Sequence, residues 1–289
     1  MTFSVKRSEE FVNILKTNLR NQYKDKRRTK EDSIHVSDIL PASCLRKAFY
    51  ERTQQQANNE YNNKISDTSL LHFLRGRASE IALSELFQSQ KNGSKTTAQC
   101  HLSFEGIVGT ADLMRQGNKR EDLDFLVIEL KDTNSLKRLD FSDVVFCGYV
   151  YQLLYYLCIS DVERGLLVIK YNAYEMEQIG HDAQGDLYLK RTRAKGPELC
   201  CFEVILTLDD PVRDKLKHQM LYRRDNLKRA LETGDVSSLP RLIGELKKMR
   251  CFNCDFLSRC WKRDDETSDA RKLKDIDDLC DLISQPIGG

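Results

Sequence analysis

Long apolar runs are missing from the sequence, and its mean hydropathy is −0.54. A membrane-spanning helix needs about 20 consecutive apolar residues, so the chain is not expected to cross a membrane. The first seven residues also lack the apolar segment of a secretory signal peptide. We therefore expect a cytoplasmic protein whose partners do not include a membrane.

A strong excess of either charge is also missing, because 46 Lys and Arg face 44 Asp and Glu, for a net charge of +2. Basic residues are nevertheless concentrated in residues 1–30, where nine Lys and Arg face three Asp and Glu, a local charge of +6. Such a block can bind phosphates, and a solvated helix explains it equally well. We expect a basic N-terminal extension over 1–34, one domain over 35–263 and a charged tail over 264–289.

The spacing of apolar residues predicts an α/β protein with a mixed central sheet flanked by helices. Helices are predicted over residues 7–28, 41–52, 67–90, 143–159, 211–233 and 239–249. Strands are predicted over residues 99–104, 107–114, 125–130, 165–170 and 198–208. The Gln/Asn-rich residues 54–63 have no apolar period and are predicted to form a loop or an exposed helical tail.

Two carboxylates lie in consecutive predicted strands. Asp112 is in the first, and Glu129 follows 17 residues later within Glu129-Leu130-Lys131. Strand alternation puts Glu129 and Lys131 on one face and Leu130 on the other. If the strands are neighbours, two carboxylates and one ammonium converge at a sheet end, which suits Mg²⁺ or Mn²⁺. Either acid alone would be interpreted as a solvated strand edge; their order together favours a cation site.

Further polar residues flank this pair on two predicted helices. Upstream, Gly76 is expected to permit close approach, and Glu80 lies one turn later. Downstream, Gln152 and Tyr156 are four residues apart and therefore share a helix face. Gln152 can bind a phosphate or a metal-bound water, and Tyr156 can stack or donate a hydrogen bond. Taken singly, the tyrosine would be interpreted as a core residue.

This order of motifs resembles the RecB-like branch of the PD-(D/E)XK nucleases. The resemblance implies a restriction-endonuclease-like core that binds Mg²⁺ or Mn²⁺. It implies that Lys131 positions the nucleophile and that the Leu130 carbonyl is an additional metal ligand. The residues that match the family's catalytic motifs are Asp112, Glu129, Lys131, Gln152 and Tyr156.

One position departs from that family. Most RecB-like nucleases have a histidine four residues after the motif glycine, and here that residue is Glu80. Relatives of the phage-exonuclease type have a glutamate there, which keeps Glu80 as a catalytic and metal-site residue. His72, two turns earlier on the same predicted helix, is a second candidate metal ligand, although a single histidine on an amphipathic helix is more often structural.

Ten cysteines in a chain expected to be intracellular favour metal or cluster ligation over disulfides. Cys251, Cys254 and Cys260 are grouped near the C-terminus, and Cys44 is the best fourth ligand. Thiolates suit either Zn²⁺ or an iron–sulfur cluster. A site closed over so long a stretch of chain would join the N- and C-terminal helices.

The arrangement of one early and three late cysteines resembles iron–sulfur RecB-like nucleases, and most closely the CRISPR-associated exonucleases of the fourth Cas family. The resemblance implies a [4Fe-4S] cluster that staples a helical lobe to the nuclease core. Zinc and unligated thiols are the alternatives. The other cysteines are interpreted as core or surface residues.

The resemblance implies a metal-dependent DNA exonuclease that trims single-stranded ends of prespacer DNA together with CRISPR integrase proteins. Arg46, Arg75 and Arg77 are candidates for contacts with the DNA backbone. A stand-alone DNA-repair or viral end-processing nuclease would have the same residues. A non-catalytic DNA-binding subunit and a zinc-stapled interaction module are further alternatives, and a homo-oligomer is compatible with the sequence.

Overall fold

The computed structural model describes residues 32–53, 67–88, 95–116, 125–135, 139–172, 176–181, 187–192 and 198–242, with isolated residues or short pieces at 13–14, 16–18, 21, 250–251, 254, 256–257 and 260. The helices are α1 (Val36–Ile39), α2 (Leu45–Thr53), α3 (Asp67–Gln88), α4 (Val144–Ser160) and α5 (Pro211–Thr233), with a 3-10 turn over Val236–Ser238. The strands are β1 (Ile34–His35), β2 (Lys95–Phe104), β3 (Ile107–Gln116), β4 (Leu126–Thr133), β5 (Arg164–Tyr171), β6 (Met176–His181), β7 (Leu187–Thr192) and β8 (Glu198–Ile205).

Six strands form one mixed sheet in the order β1-β3-β4-β5-β8, with β2 paired to the other edge of β3. The β1–β3 and β4–β5 pairs are parallel, and the β2–β3, β3–β4 and β5–β8 pairs are antiparallel. The prediction of a mixed central sheet flanked by helices is therefore confirmed.

Strand β3 shares one edge between two partners. β1 pairs with its first residues, Ile107 and Val108, and β4 pairs with Leu113 to Arg115. The residues from Gly109 to Asp112 lie between these two pairings, so their backbone on this edge faces a gap in the sheet. This gap puts Asp112 at the point where β3 and β4 diverge.

Helices cover the two faces of the sheet unequally. The very apolar α4 packs on one face and contributes eight of its ten buried residues to the main core. An added Cβ at Gly165 of β5 would lie 2.8 Å from Leu153, so glycine lets α4 approach the strand closely. On the other face, Leu83 of α3 packs against a smaller cluster that includes Ile128, Leu130 and Val168.

A buried arginine of helix α5 binds the chain at the C-terminal end of α1. Arg223 is 5% exposed, and its guanidinium donates hydrogen bonds to the carbonyls of Ile39, Leu40 and Ser43. A guanidinium has five donors, so one side chain can satisfy several buried carbonyls at the ends of α1.

The structure contradicts the interpretation of Arg46 as a DNA contact. Arg46 is 4% exposed, and its Nε donates to the Leu239 carbonyl at 2.7 Å while Nη2 donates to that of Ser237 at 3.5 Å. Arg46 therefore connects α2 to the segment after α5 and is not presented to a ligand.

Three elements of secondary structure differ from the prediction. The antiparallel β6–β7 hairpin was not expected from the sequence. The helix predicted from Leu239 is wrong at its start, because residues 239–242 are not helical and follow a 3-10 turn. The β2 strand begins at Lys95, earlier than predicted.

Several predictions lie wholly or largely outside the described residues: most of the helix over 7–28, the stretch over 54–63, residues 243–249 and the tail over 264–289. None of the helices in the described part is both long and apolar enough to cross a membrane.

Candidate active site

The carboxylate of Asp112 lies where β3 and β4 diverge. Continuing the register of the Leu113–Ile128 pair by one residue sets Asp112 opposite Glu129. Instead of a backbone pairing there, Oδ2 of Asp112 accepts a hydrogen bond from the Leu130 amide at 2.7 Å. The Asp112 side chain thus takes the place of a backbone acceptor for the Leu130 amide and holds β4 to β3. A buried amide needs such a partner.

Strand β4 presents Glu129 and Lys131 on one face, as the alternation predicts. Glu129 is 2% exposed, and the ammonium of Lys131 donates to its Oε1. The other oxygen, Oε2, is buried and has no hydrogen-bond partner among the described residues. Leu130 points to the opposite face and packs in the small cluster beneath α3.

Helix α4 extends this pair into a chain of hydrogen bonds. Nζ of Lys131 donates to Oε1 of Gln152 at 3.0 Å, and Nε2 of Gln152 donates to the Tyr156 hydroxyl at 3.0 Å. The Thr110 amide also donates to that hydroxyl, which satisfies one backbone group in the gap of β3. The prediction that Gln152 and Tyr156 share a helix face toward the site is confirmed.

A glycine makes this docking of Tyr156 possible. A Cβ added at Gly109 would lie 2.7 Å from Cε1 of Tyr156 and 3.1 Å from Val36. Glycine at position 109 of β3 is therefore required by contact with the tyrosine ring. Gly76 differs, because an added Cβ there meets no heavy atom of the described residues within 4 Å and the glycine faces the cavity.

Helix α3 brings a third carboxylate to the site. Oε1 of Glu80 accepts hydrogen bonds from Nη1 of Arg77 at 2.6 Å and from Nε2 of Gln99. His72 is exposed on the same helix and does not line the cavity beside the acids. The structure thus brings Glu80 to Asp112 and Glu129, and it does not bring His72 there.

These side chains surround an open cavity of about 320 Å³ between α3, the diverging strands and α4. Its lining residues are Gly76, Ser79, Glu80, Leu83, Asp112, Glu129, Leu130, Lys131, Asp132 and Gln152. Among the described residues, no three His, Cys, Asp or Glu side chains are grouped so that they could hold a metal ion by themselves. The cavity is lined by four carboxylates: Asp112 and Glu129 at the gap, Glu80 on the facing helix and Asp132 further along β4.

Burial and mutual repulsion raise the pKa values of the acids. Burial raises the pKa of Glu129 to about 7, with Asp112 and Glu80 adding to the effect and Lys131 opposing it. Burial likewise raises the pKa of Asp112, against the effect of Lys131. Burial lowers the pKa of Lys131, but Glu129 and Asp112 outweigh it and the net direction is upward. A cation in the cavity would relieve the repulsion between the carboxylates.

Sequence reasoning missed Asp132, which is the most extensively hydrogen-bonded acid of the site. Its side chain is 6% exposed and accepts from Arg75, Ser79, Lys170 and Asn172. Burial raises its pKa, but these hydrogen bonds and the Arg75 charge lower it to about 2. Alternation along β4 was the available signal, because it puts this residue on the same face as Leu130, toward α3.

The two arginines of α3 are engaged within the protein. Arg75 donates to Asp132 at 2.7 Å and to Oδ1 of Asn134 at 2.6 Å. Arg77 donates to Glu80 but remains 49% exposed at its side chain. The described contacts of Arg75 are therefore structural, whereas Arg77 keeps a surface that DNA can reach.

An aromatic ring lies next to the catalytic lysine candidate. Nζ of Lys131 is 5.2 Å from the ring centroid of Tyr149, a half-buried residue of α4. Burial raises the pKa of this phenol, while the charges of Lys131 and Arg250 lower it. Arg250 is exposed and directly precedes Cys251, so the charge that acts on Tyr149 comes from the start of the cysteine-rich segment.

Cys44 interacts in the fold with three cysteines that lie about 200 residues later in the sequence. Burial raises the pKa of the Cys44 thiol to about 11, and the thiols of Cys260, Cys251 and Cys254 raise it further. Cys44 and Cys251 pack beside Ala42 and Leu242, whereas Cys254 and Cys260 pack against the main core. Tyr50 of α2 stacks on Phe256 with ring centroids 5.4 Å apart.

The described cysteines are all free thiols. Cys147 and Cys158 are buried, Cys100 and Cys200 are half-buried and Cys201 is exposed, in agreement with their interpretation as core or surface residues. Cys280 lies outside the described residues.

No protein-family model matches the chain, and no curated protein matches its sequence. Among solved structures, the crystal structure of SSO0001 aligns with a TM-score of 0.49 and 15% identity over 88% of this chain and 98% of its own. An alkaline exonuclease from Laribacter hongkongensis aligns with a TM-score of 0.41 and 10% identity, over 70% of this chain and 90% of its own. A phage-related exonuclease from Haemophilus somnus 129PT aligns with a TM-score of 0.40 and 12% identity, over 66% of this chain and 82% of its own.

The two glycines of the site should respond oppositely to alanine. Gly109→Ala forces the Tyr156 ring to move, so we expect a loss of about 1–3 kcal/mol in the free energy of unfolding. Gly76→Ala meets open space within a helix, so we expect a gain of up to about 1 kcal/mol. Chemical denaturation of both variants measures this difference. Equal effects of the same sign would contradict the assigned packing.

Proposed function

We propose that this protein is a Mg²⁺- or Mn²⁺-dependent deoxyribonuclease that hydrolyses phosphodiester bonds, acting as an exonuclease on single-stranded ends. The observation that carries the proposal is the buried Oε2 of Glu129, which has no hydrogen-bond partner among the described residues, in a carboxylate that interacts electrostatically with Asp112. A buried acceptor without a donor is costly, and a divalent cation is a partner of the right charge.

The donor set fits a hard cation. Mg²⁺ binds through one or two carboxylates and keeps several waters, so Asp112 and Glu129 suffice as side-chain ligands. The Leu130 carbonyl and Glu80 are the additional ligands of this proposal, and both residues line the cavity. When bound, the cation supplies Lewis-acid activation of the phosphate and of the attacking water.

Lys131 has the position expected for a residue that orients the nucleophile. Its ammonium is fixed by Glu129 and Gln152, and its raised pKa keeps it protonated near neutral pH. A protonated lysine stabilises the negative charge that develops on the phosphate. In the reaction, the water oxygen bonds to phosphorus and gives up a proton to solvent, the bond to the leaving sugar oxygen breaks, and that oxygen takes up a proton from solvent.

The four approaching thiols support a [4Fe-4S] cluster held by Cys44, Cys251, Cys254 and Cys260. Thiolates are the ligands that such clusters use. The cluster would fix the segment after Arg250 to helix α2 and thereby hold Arg250 near Tyr149 and the cavity. In this proposal the cluster has a structural role. It closes a long loop and so stabilises the folded state by removing many conformations of the unfolded chain.

The biological setting is proposed from the resemblance alone. Trimming of prespacer ends with CRISPR integrase proteins is the preferred role, and end processing in DNA repair uses the same site. The exposed Arg77 is the best described candidate for a contact with the DNA backbone.

Replacement of the buried acid should abolish cleavage. Glu129→Gln removes the charge that a cation requires, so we expect the rate of Mn²⁺-dependent degradation of end-labelled single-stranded DNA to fall at least about 100-fold. The control is Glu203→Gln, which alters the Arg164 ion pair on the distant strand β8 and should keep full activity. A wild-type protein that binds DNA and never cleaves it would contradict the proposed nuclease activity and favour a non-catalytic DNA-binding subunit.

Cation affinity should decline from neutral pH downward. The pKa of Glu129 is raised to about 7, so below this value the side chain is increasingly neutral and cannot bind a cation. We expect the Kd for Mn²⁺, measured by calorimetry between pH 5.5 and 8.5, to rise about tenfold per pH unit on the acidic side. A constant Kd between pH 6 and 8 would show that no carboxylate of the site titrates there.

The cysteine cluster is tested by metal content and stability. Protein purified without oxygen should contain about four irons per chain and absorb visible light. We expect Cys254→Ser to lose iron and to lower Tm by at least about 5 °C, while Cys201→Ser, at an exposed thiol, should change neither. Zinc in place of iron in the wild type would exclude the cluster.

A further inference from the structure

Helix α3 has little apolar attachment to the sheet. Of its described side chains, only Leu83 and Ser84 are buried. Leu83 and Phe87 pack against the small cluster on the sheet. Five other large apolar residues of the helix are 47–63% exposed, namely Leu71, Phe73, Leu74, Ile81 and Leu86. Because this helix carries Glu80, the position of the third carboxylate depends on whatever else fixes α3 to the sheet.

Polar contacts with Asp132 provide that attachment. Arg75 and Ser79 of α3 donate to the two carboxylate oxygens at 2.7 and 2.8 Å. From the sheet side, Asn172 and Lys170 donate to the same oxygens at 2.7 and 3.1 Å. Nζ of Lys170 also donates to Oγ of Ser79 at 3.0 Å, which closes the network.

The geometry of these contacts fixes the helix in two respects. Arg75 and Ser79 are four residues apart, so they lie on the same face of α3 about one turn from each other. Two contacts one turn apart on a single carboxylate determine both the rotation of the helix and its position along its axis. Glu80 directly follows Ser79, so the same contacts set the place where its side chain leaves the helix, and Arg77 and Gln99 hold its Oε1.

We propose that Asp132 is a positioning residue of the active site, which sets helix α3 through Arg75 and Ser79 so that Glu80 reaches the cation. This inference rests on the proposed function. Asp132 itself has four donors and is not offered as a metal ligand. Partners of this kind behind a metal ligand commonly change metal affinity 10–100-fold.

A double-mutant cycle on Mn²⁺ affinity tests the proposal without measuring cleavage. Free Mn²⁺ is quantified by electron paramagnetic resonance for the wild type, Asp132→Asn, Glu80→Gln and the double variant. We expect each single variant to weaken binding on the order of tenfold. If Asp132 acts through Glu80, the double variant should bind within about threefold of Glu80→Gln alone. Losses that multiply would overturn the proposal.

Two further variants separate positioning from general stability. Leu231→Ala removes a buried side chain of α5 away from the cavity, so it should lower stability and leave the Kd for Mn²⁺ unchanged. Ser79→Ala removes one hydrogen-bond donor to Asp132 and should weaken Mn²⁺ binding by less than Asp132→Asn. It also serves as the test if Asp132→Asn does not fold; an unchanged Kd in Ser79→Ala would then contradict the proposal.

Hydrogen exchange gives a second readout on the same proteins. In Asp132→Asn, the amides of α3 near Ser79 should exchange faster while those of α4 keep their protection. Unchanged exchange in α3 would contradict the proposal. If the wild type does not bind Mn²⁺ at all, the proposed function fails; if it binds and Asp132→Asn binds equally, this inference alone fails.

Discussion

The carboxylate of Glu129 is almost fully removed from water, yet a described residue bonds only one of its two oxygens. Burial of a charge is costly unless opposite charge and hydrogen bonds compensate it. Lys131 provides one such contact and is itself held by Gln152, whose other end is fixed by Tyr156. The packing of α4 on the sheet and the glycine at position 109 both serve to keep this chain of contacts in place.

The gap along one edge of β3 explains how the second carboxylate joins the first. Because β1 and β4 pair with different ends of the same edge, the backbone between them needs other partners. The side chain of Asp112 and the hydroxyl of Tyr156 bond backbone amides bordering this gap. The same irregularity that breaks the sheet therefore opens a cavity toward α3, where Glu80 lies.

The sequence predicted the sheet and the helix faces because these depend on local periodicity. Alternation correctly separated Glu129 and Lys131 from Leu130, and the four-residue spacing correctly joined Gln152 to Tyr156. Contacts between distant segments were not predictable in this way. Arg46 was expected at a surface and instead binds carbonyls near Leu239, 193 residues away.

The same limit applies to Asp132 and to the two glycines. Nothing in the local pattern around Asp132 reveals that Arg75 and Ser79 of α3 will reach it, because that contact depends on how the helix crosses the sheet. An added Cβ at Gly76 meets no heavy atom within 4 Å, whereas Gly109 makes a close contact with Tyr156. Motif order thus indicated which residues matter before it could indicate what each one touches.

The central claim is that a divalent cation is bound between Asp112 and Glu129, and crystals soaked in Mn²⁺ test it most directly. Anomalous scattering should show one strong peak about 2.0–2.2 Å from Oε2 of Glu129 and within bonding distance of Asp112. The peak should be absent from crystals of Glu129→Gln. A Mn²⁺ peak elsewhere, or an empty cavity at saturating Mn²⁺ and pH 8, would contradict the account.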